Sequence, residues 1–81
     1  MHRGGSVVGR LAGLSAAEVI RRLRRAGFVF DRQAKGSHEI WRHPGTGMRT
    51  TVPNHPGDLP EGTVRAIIRE AGLSVEEFLA L

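Results

Sequence analysis

Two Ser-x-x-Glu strings, Ser15–Glu18 and Ser74–Glu77, bracket the chain and leave room between them for short elements only. A serine N-cap followed three residues later by glutamate is a capping box, which opens a helix. After the first box, Ala16, Val19, Ile20 and Leu23 fall at i, i+3, i+4 and i+7, a single apolar helical stripe. Arg21, Arg22, Arg24 and Arg25 fill the rest of that surface and load the last turn, where cations suit the helix dipole. Gly27 supplies the left-handed stop. The spacing predicts a first helix over residues 16–26.

Beyond Gly27 the chain turns β-rich. Phe28 to Gln33 reads as a first strand, with Ala34-Lys35-Gly36 as a turn. Ser37 to His43, with Ile40 and Trp41, reads as a second strand. Pro44-Gly45-Thr46-Gly47 is a turn. Met48 to Val52 reads as a third strand, stopped by Pro53. Asn54 to Glu61 is a loop with two prolines and a glycine. Val64, Ile67, Ile68 and Ala71 repeat the helical stripe up to Gly72. The second capping box opens a last short helix with Phe78, Leu79 and Leu81. Three strands on short turns make an antiparallel meander. Two amphipathic helices can cover one face of it. The predicted fold is α+β, order α-β-β-β-α, two layers with an open sheet face and a short C-terminal helical turn.

Residues 1–13 carry Gly4, Gly5, Gly9 and Gly13 and little periodicity, and are expected to be a flexible leader. Residues 14–81 are expected to form a single domain, since 81 residues leave no room for a second. The chain has no cysteine, which excludes a disulfide framework and Cys-ligated metal sites. No apolar run approaches the roughly 18 residues of a membrane span. No membrane role is expected, and a cytoplasmic location follows by default.

Charge is unevenly placed. Residues 1–50 carry 10 basic and 3 acidic side chains, and residues 51–81 carry 2 and 5. The first part is therefore +7 and the second −3. Eleven of the 12 basic residues are arginine, which pairs bidentately with phosphate and stacks on bases. A basic half suggests a polyanionic partner; a solvated arginine-rich surface is the plain alternative. Arg24 and Arg25 on the first helix, with Arg32 and Lys35 on the hairpin, form the candidate surface for such a polyanion. The acidic C-terminal third reads as scaffold.

Chemistry can fall only to histidine. The chain has no Cys or Tyr and no suggestive carboxylate pair. His2 lies in the leader. His38, His43 and His55 span the second strand and the segments after it. Their spacing matches no compact ligand motif, so no metal site and no cofactor are expected. At Gly36-Ser37-His38 a glycine lets a phosphate backbone approach. Ser37 can donate to phosphate, and Lys35 and Arg32 add charge. Such a cluster could hold RNA and deprotonate a 2′-hydroxyl. A glycine turn before an exposed polar strand start explains the same string, and spacing alone leaves both open. Alternation puts His38, Ile40 and Arg42 on one face and Glu39, Trp41 and His43 on the other. If Trp41 is core, His38 lies on the open face; if Ile40 is core, Trp41 is free to stack a base. Core packing is the better expectation for a lone tryptophan.

The residues also resemble a known family, the HicA toxins of HicAB toxin–antitoxin systems. The matching strings are Leu14-Ser15, Glu18-Val19-Ile20, Ala26-Gly27-Phe28, Arg32-Gln33, Gly36-Ser37-His38, Arg42-His43-Pro44, Val52-Pro53-Asn54-His55, Gly62-Thr63 and Ala71-Gly72-Leu73-Ser74. Gly-Ser-His alone is weak; in order with the other strings it is specific. The resemblance covers about residues 14–81. It implies a double-stranded-RNA-binding-domain-like fold and an endoribonuclease that cleaves mRNA and arrests translation. It implies one essential histidine, which carries over to His38, and an inhibitory HicB antitoxin as partner. It implies no clear dependence on metal. His43 and His55 match family positions without a role being carried over. The long leader departs from the family pattern. Two other readings stand beside this one: a non-catalytic RNA-binding module, and a protein whose exposed sheet only docks a partner.

Overall fold

The computed structural model describes residues 9–81. Helix α1 spans Ala16–Arg25. Its N-terminus is closed by both halves of the capping box: the Glu18 amide donates to Ser15 Oγ at 3.2 Å, and the Ser15 amide donates to Glu18 Oε1 at 2.9 Å. Ala16, Val19, Ile20 and Leu23 are the buried stripe. The helix ends in a Schellman turn. Gly27, at φ +101°, donates to Arg24 O, and Phe28 donates to Leu23 O. Phe28 is thus part of the helix stop and is buried, and the first strand starts one residue later than expected.

Strands β1 (Val29–Gln33), β2 (His38–Arg42) and β3 (Arg49–Pro53) form an antiparallel sheet in sequence order. Pro53 is the last residue of β3 and not a stop before it, because β3 is an edge strand that tolerates a missing donor. A register shift between Phe30 and Arg32 puts a bulge at Asp31. Helix α2 (Glu61–Glu70) follows Pro60 and ends at Gly72 in a second Schellman turn, with Leu73 donating to Ile68 O. Helix α3 (Val75–Leu79) opens on the second capping box, with Glu77 N donating to Ser74 Oγ at 3.0 Å. The observed architecture is the α+β order read from the sequence.

The core lies between one face of the sheet and the helices. Trp41, Thr50 and Val52 enter it from the sheet, Val64, Ile67 and Ile68 from α2, and Phe78 from α3. Thr50, among the described residues the one buried polar residue of this core, donates to Glu70 Oε1 at 3.0 Å. Leu11, inside the expected leader, is fully buried in the same core. Residues 1–8, including His2, lie outside the described residues. Among those described, no helix is long and apolar enough to cross a membrane.

Candidate functional site

Strand pairing resolves which face of the sheet is open. Trp41 pairs with Thr50 and Glu39 with Val52, and Trp41 is only 2% exposed, so these residues face the helices. His38 pairs with Pro53, Ile40 with Thr51 and Arg42 with Arg49 on the opposite face. Tryptophan is core, and the His38 ring is exposed on the open side. Among the described residues that ring makes no hydrogen bond.

The backbone around His38 is fixed from three directions. The Ala34 amide donates to His38 O at 2.7 Å. Gln33 Nε2 donates to Gly36 O at 3.0 Å and to His38 O at 3.1 Å, stapling the β1–β2 turn from within. The Asn54 amide donates to Ser37 O at 2.9 Å, which ties the turn to the end of β3. Gly36 sits at φ +65° with nothing within 4 Å of where a Cβ would stand. An approaching phosphate therefore meets no side chain there. Lys35 is exposed on this turn and Ser37 is half-buried.

The open face is cationic. Arg32 pairs with Ile40, which puts it on the His38 side of the sheet, together with Arg42 and Arg49. The Asp31 carboxylate lies 3.6 Å from Arg32 and 3.9 Å from Arg49. These pairs are long and their guanidinium ends exposed, so they hold the arginines only loosely.

Arg24 sits elsewhere. Its guanidinium lies over the Trp41 ring, 5.0 Å from the centroid, on the helix side of the sheet. There Trp41 Nε1 donates to Glu39 Oε1 at 3.1 Å, and Asn54 Nδ2 donates to Glu39 Oε2 at 2.7 Å. Phe30 meets the Trp41 ring edge-on at 5.8 Å. These residues, with Ala17, Ile20 and Arg21, line a cleft of about 570 Å³. Arg25 is exposed on the same helix. The structure thus brings Arg32, Lys35, Gly36, Ser37 and His38 together on the hairpin. It sets Arg24 apart, across the thickness of the sheet from the His38 ring.

The other two described histidines, His43 and His55, stand apart from His38. His43 packs edge-on against Phe28 at 5.2 Å, and its Nδ1 accepts from the amides of Gly45 (3.0 Å) and Thr46 (3.1 Å). It is the organiser of the β2–β3 turn. His55 is exposed in the loop after β3, its Nδ1 3.3 Å from Pro56 O. His38, His43 and His55 do not converge. Among the described residues no three His, Asp or Glu side chains stand together as metal ligands.

Sequence reasoning missed Gln33, Arg42, Arg49 and Asn54 as parts of the site. Arg42 had a visible signal, since alternation set it on the His38 face, and Gln33 and Asn54 stand in the strings that carry the family resemblance; Arg49 depends on strand register. The family model for the HicA toxin of bacterial toxin–antitoxin systems matches residues 16–73, from the start of α1 to the glycine turn after α2. No curated protein matches the chain.

Proposed function

This chain belongs to the HicA toxin family of bacterial toxin–antitoxin systems, and on that footing we propose that it is an endoribonuclease that cleaves mRNA with His38 as general base. It is the toxin of a pair and has an antitoxin partner. We take that partner to be a HicB-type protein that covers the His38 face, and the site of action to be the cytoplasm, where mRNA is translated.

The observation that carries the reading is the setting of His38. Its exposed ring follows a positive-φ glycine on an arginine-bearing open face. In the proposed step the neutral imidazole takes the proton of a ribose 2′-hydroxyl. The 2′-oxygen attacks the adjacent phosphorus, the bond to the 5′-oxygen breaks, and a water protonates the leaving oxygen. The products are a 2′,3′-cyclic phosphate end and a 5′-hydroxyl end. Arg32, Lys35 and Ser37 hold the phosphate oxygens, Gly36 admits the backbone, and Arg24 and Arg25 bind the strand further along. No metal or cofactor is assigned a role. General base catalysis contributes about 10²–10⁴-fold, so turnover is slow.

The test is induction of the wild type and of His38→Ala in cells, with purified protein incubated on mRNA in parallel. The wild type arrests growth and fragments the RNA; His38→Ala folds and does neither. A His38→Ala protein that still cuts RNA removes the assignment. The alternative, a non-catalytic RNA-binding module, is favoured if the wild type binds RNA and yields no new fragments.

A further inference from the structure

The cleft on the helix side of the sheet has no part in the proton transfer at His38, yet its walls suit a different task. Ala17 and Ile20 of α1 give it an apolar side. Phe30, on β1, is 48% exposed, although a core this small would gain from burying it. The Phe30 and Trp41 rings meet in a T-shaped pair, and the Arg24 guanidinium lies over Trp41. Arg21 and Arg24, three residues apart on one helix face, add two positive charges to the same wall. Asn54, which also lines the cleft, donates its backbone amide to Ser37 O. The cleft therefore reaches the chain segment that carries the Gly36-Ser37-His38 turn.

We propose that this cleft receives an unpaired base of the RNA strand, stacked on Phe30, while Arg21 and Arg24 meet the flanking phosphates. The inference rests on the nuclease reading and narrows it to single-stranded RNA. The volume is within the range of small-molecule sites. An exposed aromatic ring beside arginines is the combination that single-strand binders use, because every base has a π-face and every linkage a charge. A paired base keeps its faces inside the stack and cannot enter. An apolar side chain of a protein partner would fill the Phe30 side but leave Arg21 and Arg24 with only the Glu39 carboxylate of the cleft, whose oxygens already accept from Trp41 Nε1 and Asn54 Nδ2. The subsite lies across the sheet from His38, so the strand crosses the glycine turn between them. That path gives the open Gly36 a purpose beyond closing a hairpin.

The test uses the full chain carrying His38→Ala, so that RNA is bound and not cut. Affinity is measured for a labelled single-stranded RNA of about ten nucleotides and for a duplex of equal length, alone and with Phe30→Leu, Phe30→Ala or Arg21→Gln added. Phe30→Leu keeps apolar packing against Trp41 and removes only the stacking face. We expect it to weaken single-strand binding about tenfold or more, as loss of one base stack does. Its melting temperature should be near the parent's, and its duplex binding unchanged. Arg21→Gln should weaken single-strand binding and flatten its salt dependence. If RNA binds but both Phe30 variants bind it as well as the parent, the subsite is wrong and the nuclease reading stands. Equal affinity for the duplex has the same meaning. If the Phe30 variants lose antitoxin binding and keep RNA binding, the cleft is a protein-docking site. If the His38→Ala chain binds no RNA, the nuclease reading falls with the subsite.

Discussion

Gln33 holds His38 by its backbone: one side-chain nitrogen donates to the carbonyls of Gly36 and His38, at 3.0 and 3.1 Å. The turn that presents the catalytic candidate is thus braced by the last residue of β1. Each such bond is worth about 1 kcal/mol or less where water competes. Gln33→Ala should therefore lower stability by about 1 kcal/mol and leave the fold intact. Its larger effect should be on geometry. The cleavage rate at saturating RNA should fall several-fold while RNA affinity changes little. An equal loss in both would make Gln33 an RNA contact and not a positioning residue.

Gly27 is constrained twice. Its φ of +101° suits only glycine, and a Cβ there would stand 2.8 Å from His43 Nε2. The left-handed conformation and the contact are separate costs. Gly27→Ala should destabilise the protein by more than about 1 kcal/mol. Adding His43→Ala to that variant should relieve the contact but not the backbone strain, so the double variant should melt below His43→Ala alone. His43→Ala by itself should lower the melting temperature through the loss of two amide partners and the Phe28 contact, and should retain RNA cleavage if tested at a temperature where it is folded. Cleavage abolished in a folded His43→Ala protein would give His43 a chemical role.

The parts legible in the sequence are those decided by neighbours in the chain. Both capping boxes and both glycine stops are local signals, and both form as read. The start of β1 moved by a residue because Phe28 completes the Schellman turn of α1 instead of entering the strand. The open face was legible only through the expectation that a lone tryptophan is core, which the structure bears out. Period-two alternation fixes which residues share a face and is silent on which face is covered; only the burial of Trp41 against the helices decides it. The bulge at Asp31 was invisible, since it depends on how β1 meets β2. That bulge is why Phe30 joins Trp41 on the helix side while Arg32, two residues later, faces His38's side. A strict alternation along β1 would have put Phe30 and Arg32 on one face. The site was readable as the string Gly36-Ser37-His38; its supports, Gln33 and Asn54, came from the hairpin closing.

Acid should loosen α1 at its start. The Ser15 amide and hydroxyl hydrogen-bond the Glu18 carboxylate and, with Arg21 and Arg22 nearby, hold its pKa below the ordinary glutamate value. A carboxylate whose pKa is lower folded than unfolded stabilises the fold above the unfolded value, and that contribution is lost as pH falls through the folded value. Melting temperature should therefore decline as pH drops from about 5 toward 3. Glu18→Gln should lose stability at pH 7 and show a shallower decline. A wild-type profile matched in slope by Glu18→Gln would assign the acid sensitivity to other carboxylates.

Arg42 and Arg49 face each other across β2 and β3 on the open side of the sheet. Like charges directly opposite on a sheet are unfavourable, by about 0.2–1 kcal/mol. Among the described residues only Arg49 of the two is paired with a carboxylate, and Asp31 at 3.9 Å is too loose a partner to offset the repulsion. A phosphate backbone lying over this face would satisfy both guanidinium groups, and they share the face with His38. Arg42→Gln should therefore raise the melting temperature slightly while weakening RNA binding and making its salt slope shallower by about one unit. Arg49→Gln should do the same, with a smaller gain in stability because it also gives up Asp31. Cleavage should fall in both, through affinity more than through the rate at saturation. Two variants that are more stable and bind RNA as well as the wild type would place the strand elsewhere and leave the arginine pair without a nucleic-acid role.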